Sequence, residues 1–291
     1  MTKSLYEKLV KQNPSMTEVK RTVGKILSSD DVVKDKHLFM NIFNCIDLTS
    51  LNSTDNKSKI LQLTGKVNSF QVRYKNIPNV AGICVFPNFV SLVKERLIPK
   101  NVKIVSVAAS FPYGQTFHDI KVTECMMACN NGADEIDIVL NQGAFFSGDD
   151  ETVLDEIKGI KDAIGDKTLK VIIESGKMET HDQVFKAAMM AMDAGADFIK
   201  TSTGKMGVGA TPEAAYLICK AINYFYQDTG IKIGFKAAGG ISTVEDAIKY
   251  YSIVKYCLGD EWLNNQYFRI GASRLANNIL SEIGGERLEH F

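Results

Sequence analysis

Short apolar runs alternate with longer amphipathic stretches along the chain from about residue 39 to 283. The runs at 39–47, 82–86, 103–108, 135–140, 170–174, 198–201, 234–236 and 267–271 are rich in Val, Ile, Leu and Phe and too short for helices. Each is predicted as a buried strand. Helical spacing of apolar residues predicts helices at about 55–70, 88–97, 116–130, 150–164, 180–194, 211–227, 242–257 and 273–283. Thr211 before Pro212 reads as a helix start, and Ser242-Thr243-Val244-Glu245 reads as a capping box. Gly132, Gly195 and Gly230 read as helix ends. Eight β/α units in one chain predict an α/β fold, a (β/α)8 TIM barrel over 39–283. A doubly wound open sheet would carry Gly-x-Gly-x-x-Gly after its first strand. Here that strand runs into Cys45-Ile46-Asp47-Leu48-Thr49-Ser50-Leu51-Asn52, with no glycine. Residues 1–38, with a helical stretch at 16–27, are expected as an N-terminal extension that caps the barrel bottom or joins a subunit contact. Residues 284–291 are expected as a flexible tail.

An internal echo aligns two of the units. Met126-Met127-Ala128-Cys129-Asn130-Asn131-Gly132-Ala133-Asp134-Glu135-Ile136-Asp137 matches Met189-Met190-Ala191-Met192-Asp193-Ala194-Gly195-Ala196-Asp197-Phe198-Ile199-Lys200, helix for helix and strand for strand. Asp137 and Lys200 therefore occupy equivalent places in the fourth and sixth strands. Alternate strands of such barrels feed the same interior layer, so an acid and an amine are expected to face each other across the mouth.

Composition narrows the function classes. The chain has 291 residues, 45% of them hydrophobic, with 34 Lys+Arg against 34 Asp+Glu. Zero formal charge argues against a nucleic-acid or membrane-surface partner. No apolar run approaches the ~20 residues of a membrane span, and residues 1–7 show no signal-like apolar segment, so a cytoplasmic location is expected. Among six cysteines no Cys-x-x-Cys pair occurs, and the four histidines are scattered, so neither a metal nor another cofactor is expected.

The chemistry sits where barrel active sites lie, at the C-terminal ends of strands. Polar residues there are Asp47, Cys84, Ser110, Asp137, Glu174, Lys200, Lys236 and Ser273. Lys200 and Lys236 each end an apolar run, where a lysine is costly to bury. Two converging ammonium groups each lower the other's pKa, and a lysine brought near ~7–8 is a usable nucleophilic amine. That is Schiff-base chemistry on a carbonyl compound. Alternation within the fourth strand puts Asp137 on the same face as Glu135, and a buried acid there calls for a lysine partner. Three turns carry small donors and cations: Thr201-Ser202-Thr203-Gly204-Lys205, Gly239-Gly240 and Gly271-Ala272-Ser273-Arg274. They follow the sixth to eighth strands, the usual place of a barrel phosphate site. Cys84 reads as a small packed hydrophobe near the mouth.

These residues resemble the deoxyribose-phosphate aldolases, a family of class I aldolases. The matching segments are Asp47-Leu48-Thr49, Ile83-Cys84-Val85-Phe86-Pro87, Phe111-Pro112-Tyr113-Gly114, Gly132-Ala133-Asp134-Glu135-Ile136-Asp137, Val171-Ile172-Ile173-Glu174, Lys200-Thr201-Ser202-Thr203-Gly204-Lys205, Gly234-Phe235-Lys236 and Arg269-Ile270-Gly271-Ala272-Ser273. The resemblance implies reversible cleavage of 2-deoxy-D-ribose 5-phosphate to D-glyceraldehyde 3-phosphate and acetaldehyde. It implies Lys200 as the Schiff-base lysine, Lys236 as the group that lowers its pKa, and Asp137 as proton donor and acceptor. Asp47 would join the Lys236–Asp137 network. Gly204, Lys205, Gly239, Gly240, Gly271, Ser273 and Arg274 would surround the phosphate, with Thr49, Cys84 and Thr203 along the pocket. A homodimer or higher homo-oligomer is expected. The chain departs from the family pattern at Ala237, where a proline is common, and at Arg274, where many bacterial members have serine. Asn141-Gln142 also replaces a common Phe-Pro. The alternatives are another Schiff-base barrel enzyme, such as a transaldolase, and a non-catalytic phosphosugar-binding barrel.

Overall fold

A computed structural model describes residues 13–29 and 31–291. Residues 1–12 and Asp30 of the expected N-terminal extension lie outside the described residues. Eight parallel strands pair in chain order: β1 (Ile46–Thr49), β2 (Gly82–Val85), β3 (Lys103–Val107), β4 (Glu135–Val139), β5 (Thr168–Ile172), β6 (Phe198–Lys200), β7 (Gly234–Ala238) and β8 (Phe268–Ala272). β8 pairs with β1 and closes the barrel. Parallel neighbours need long crossovers, and the predicted helices supply them. Outward residues of β4 such as Ile136 and Ile138 pack into the layer between strands and helices. Glu135 and Asp137, two apart on the other face, turn into the barrel.

One strand expectation fails. Residues 39–44 belong to helix α2 (Lys36–Asn44), not to the first strand. The Asp35 carboxylate caps this helix by accepting the Leu38 N–H at 2.8 Å. Leu38, Ile42 and Phe43 then share its buried face, a spacing that an apolar-run reading does not separate from a strand. Asn41 and Asn44 donate to Leu263 and Asn79 carbonyls in the bottom loops, so α2 covers the N-terminal end of the barrel. The preceding helix α1 (Met16–Ser28) lies instead on the outer wall, against α9 (Pro212–Thr229) and α10 (Val244–Leu258). Its Val19, Val23 and Ile26 form the buried stripe.

Thr211 does cap α9, with Pro212 as its first residue. At α10 the cap is Thr243, which accepts the Asp246 N–H, so the capping box expected from Ser242 to Glu245 is not formed and a simple side-chain cap one residue later takes its place. A short helix with no counterpart in the sequence reading, α6 (Gln142–Ser147), follows β4 and is capped by Asn141. The segment expected as a flexible tail is held in place. Asn277 accepts the His290 and Phe291 N–H groups and donates to the Phe291 carbonyl. The Phe291 ring stacks on Phe70.

Candidate active site

Strand register assembles the site. Lys200 and Lys236 are lateral partners on β6 and β7, and parallel strands lie only about 4.8 Å apart. Asp137 partners Lys170 on β5, while Asp47 lies between Gly82 and Gly271. A Cβ at Gly82 would stand 3.1 Å from Asp47 Oδ1, and one at Gly271 would stand 3.3 Å from Lys236 Cε. These two glycines therefore make room for the acid and the lysine beside them. Gly271, expected from sequence in a phosphate turn, lies within β8 and serves both the strand interior and the pocket lining.

The result is a closed ionic cluster beneath the barrel mouth. Asp137 Oδ2 accepts from Lys200 and from Lys236, each at 2.8 Å, and its Oδ1 accepts from Lys170 at 3.0 Å. Lys236 also donates to Asp47 Oδ2 at 2.5 Å. Arg269 donates to Asp47 Oδ1 at 2.6 Å and to both oxygens of Glu135 at 2.8 and 3.1 Å. Lys170 completes the circuit with Glu135 at 2.5 Å. Lys170, Glu135 and Arg269 were not singled out as functional residues from sequence. Glu135 and Arg269 lie at the starts of β4 and β8, and Lys170 opens the apolar run read from sequence although it is the central residue of β5. A charged residue at the edge of an apolar run ordinarily reads as a solvent-facing flank.

Electrostatics separates the two lysines that sequence treated alike. Burial lowers the Lys200 pKa, Asp137 opposes that, and the neighbouring Lys236 charge lowers it further; the balance is downward. Lys236 is equally buried, but Asp137 and Asp47 together outweigh that burial and hold it above the ordinary lysine value. Mutual depression is thus not what happens: only Lys200 moves down. Burial alone would raise the Asp137 pKa, but Lys170, Lys200 and Lys236 pull it well below the usual carboxylate range.

Above the cluster opens a pocket of about 430 Å³. Lys200 reaches it; Asp47, Asp137 and Lys236, all fully buried, lie below. Thr49, Thr203, Gly204, Lys205, Gly239, Gly240, Gly271, Ser273 and Arg274 line the same pocket, so every rim residue expected from sequence is gathered there. Cys84 is the exception. It is buried with Val105, Val107 and Leu51 in a small apolar cluster flanked by Phe86 and Phe111, and burial pushes its thiol pKa up.

The rim is built from backbone. Gly204 and Gly239 take φ of 72° and 92°, in the left-handed region that suits glycine. The Gly239 backbone packs on Gly209, where a Cβ would come within 2.2 Å of the Gly239 carbonyl oxygen. Glu174, one of the polar strand-end residues marked from sequence, anchors this turn. Its Oε2 accepts the Thr203 hydroxyl at 2.6 Å and the Thr203 N–H at 3.1 Å. Thr203 Oγ1 in turn accepts the Lys205 N–H.

Comparison with known proteins agrees with this geometry. Residues 42–273 match the family model described as DeoC/LacD family aldolase. A human protein named deoxyribose-phosphate aldolase is 41% identical over 249 residues, covering 82% of this chain and 78% of its own. A solved structure titled "QR15, an Aldolase" aligns with a TM-score of 0.68 and 29% identity, over 84% of this chain and 96% of its own. The deoxyribose-phosphate aldolase of Aeropyrum pernix, described as having a unique tetrameric structure, shares the fold with a TM-score of 0.66 and 21% identity, over 92% and 98% of the two chains. With the model match spanning all eight strands, this chain belongs to the DeoC/LacD family of aldolases.

Proposed function

We propose that this enzyme cleaves 2-deoxy-D-ribose 5-phosphate reversibly to D-glyceraldehyde 3-phosphate and acetaldehyde, through a Schiff base on Lys200. The observation that carries the reading is the position of Lys200. It is the cluster lysine that reaches the pocket and the one whose pKa is driven down. The neutral amine attacks C1 of the open-chain sugar, and loss of water gives an iminium. Removal of the C3 hydroxyl proton breaks the C2–C3 bond, the electron pair passes to the iminium as an enamine, and glyceraldehyde 3-phosphate leaves. Protonation of the enamine at C2 and hydrolysis then release acetaldehyde and free the lysine. Asp137, 2.8 Å from Lys200 Nζ, is the group that exchanges protons, through water where it does not reach the substrate. Lys236 holds Asp137 and Asp47 in place and keeps a positive charge beside the nucleophile.

The phosphate is assigned to the rim, where Gly204, Gly239, Gly240 and Ser273 offer N–H groups and Lys205 and Arg274 offer cations. Thr49 and Thr203 face the sugar, and Cys84 acts only as packing behind it. Among the described residues no helix is long and apolar enough to cross a membrane, and a cytoplasmic enzyme is the reading adopted. Assembly as a homodimer or larger homo-oligomer is inferred by analogy with the tetramer reported for the Aeropyrum pernix protein. Incubation with deoxyribose 5-phosphate and borohydride, followed by peptide mapping, tests the central claim. The expected result is a reduced adduct on Lys200; an adduct on Lys236 or Lys205 with Lys200 untouched would overturn it.

A further inference from the structure

The cluster contains an unequal number of charges. Its acids are Asp47, Glu135 and Asp137; its bases are Lys170, Lys200, Lys236 and Arg269. Lys236 is shared between Asp47 and Asp137, Arg269 between Asp47 and Glu135, and Lys170 between Glu135 and Asp137. These three acids and three bases form a balanced ring. Lys200 is left outside it, attached only to Asp137 Oδ2, an oxygen that already accepts from Lys236.

We propose that Lys170, which does not line the pocket, is a positioning residue for the nucleophile: by occupying Asp137 Oδ1 it closes the ring and makes Lys200 the surplus cation. The proposal deepens the reading of Lys200 as the Schiff-base lysine and rests on it. If Lys170 were absent, three acids would face three bases including Lys200, and the charge of Asp137 would be available to keep Lys200 protonated. Lys170 is fully buried and touches Glu135, Asp137 and, at 3.9 Å, Asp47. Its effect on chemistry therefore passes through Asp137. Two further groups face Lys200. The Cys84 thiol on β2 stays neutral, and Glu174, just beyond β5, directs its carboxylate to Thr203 rather than to the lysine. Neither changes in the variants below.

The test is the pH dependence of Lys200 reactivity, read as acylation by acetic anhydride at Lys200 with peptide mass detection, alongside kcat/KM for cleavage. Lys170→Met should move the acid limb of both profiles upward by about one pH unit, as loss of a nearby like charge does, with about a tenfold loss of rate at neutral pH. Lys170→Arg, which keeps the charge, should leave the limb in place. Glu135→Gln removes an acid instead, so Lys170 leans harder on Asp137 and the limb should move downward. The double variant Lys170→Met/Glu135→Gln removes one of each and should return the limb to its original position. A purely structural role for Lys170 predicts lost rate with no movement of any limb. Because an ionisation constant does not depend on how much enzyme is folded, the limb is readable even where stability falls. Opposite movements for Lys170→Met and Glu135→Gln sustain the proposal; coincident limbs, or movements in the same direction, overturn it. A wild-type enzyme that fails to trap acetaldehyde on Lys200 would instead sink the proposed function, while the anhydride titration would still report on the ring.

Discussion

The floor and the rim of the pocket are built on opposite principles. Beneath the pocket, charged side chains are held in direct contact by other charged side chains, and each except Lys200 has two or three partners. Around the rim, glycine backbone and short polar side chains face solvent, with Lys205 and Arg274 exposed. A buried charge that loses its partner is left uncompensated, at about 3–5 kcal/mol. A charge at an exposed rim has water as an alternative, and its loss is felt mainly by the ligand. Substitutions in the floor should therefore alter chemistry and folding together, whereas those in the rim should alter binding alone.

Lys200→Met offers the sharpest separation within the floor. Removing the nucleophile should reduce kcat by about 10⁴-fold or more, yet thermal stability should rise slightly. A lysine whose folded pKa lies below its unfolded value carries a penalty at every pH below the unfolded value, and the substitution removes it. Scanning calorimetry should show a midpoint raised by about 1–3 °C; a clear fall would mean that Lys200 is an integral member of the ring. Lys236→Leu should differ in sign. Without the neighbouring charge Lys200 stays protonated to higher pH, so activity at neutral pH should fall by about 10²–10⁴-fold and recover in part in alkali, where the amine is again neutral. Stability should fall as well, since Asp47 and Asp137 both lose a partner. Near wild-type activity at pH 7 would break the distinction between the two lysines.

Acid titration probes the floor as a unit. Asp47, Glu135 and Asp137 are all held below the ordinary carboxylate range in the folded chain. The unfolded chain therefore takes up protons first, near pH ~4. Stability from these groups is complete above that value and declines as pH falls toward their folded values. Chemical denaturation midpoints should hold between pH 7 and 5 and drop steeply below about pH 4, with a shallower drop in Asp47→Asn. A midpoint unchanged down to pH 3 would contradict the ionised ring. The smallest effect belongs to the rim. Arg274→Ser should raise KM for the phosphorylated sugar about tenfold, one decade for ~1.4 kcal/mol, and leave stability and the turnover of unphosphorylated 2-deoxyribose unchanged. Equal effects on the two sugars, or none, would exclude Arg274 from the phosphate site.

The same contrast explains what could be read in advance. Rim residues follow one another in short motifs directly after strands, so turn chemistry alone marks Gly204-Lys205 and Gly239-Gly240. Lys200 and Asp137 could be paired because an internal repeat aligned their strands. Glu135 and Arg269 meet across 134 positions of chain, and Lys170 finds Asp137 across 33. Nothing local distinguishes Lys170, at the edge of its apolar run, from a lysine reaching into solvent, and only barrel closure brings these groups together. The misassigned stretch 39–44 has a different cause. Leu38, Phe39, Ile42 and Phe43 are apolar at a spacing that suits a helix, but they run without a break into Cys45 and Ile46, and the deciding signal is the Asp35 cap just upstream.

The two bare positions beside Asp47 limit how this enzyme can be redesigned. A side chain at 82 would strike Asp47, Val105 and the Lys103 carbonyl at once, and one at 271 would meet Ala238 and the Lys236 stem. A side chain at either position therefore requires its neighbours, Asp47 or the Lys236 stem among them, to shift. Ser273 and Arg274 lie just beyond Gly271 with their side chains exposed, and they can be varied without that obstruction. Selection for new acceptor aldehydes is therefore best directed at the outer loops, leaving the staves of the barrel as they are.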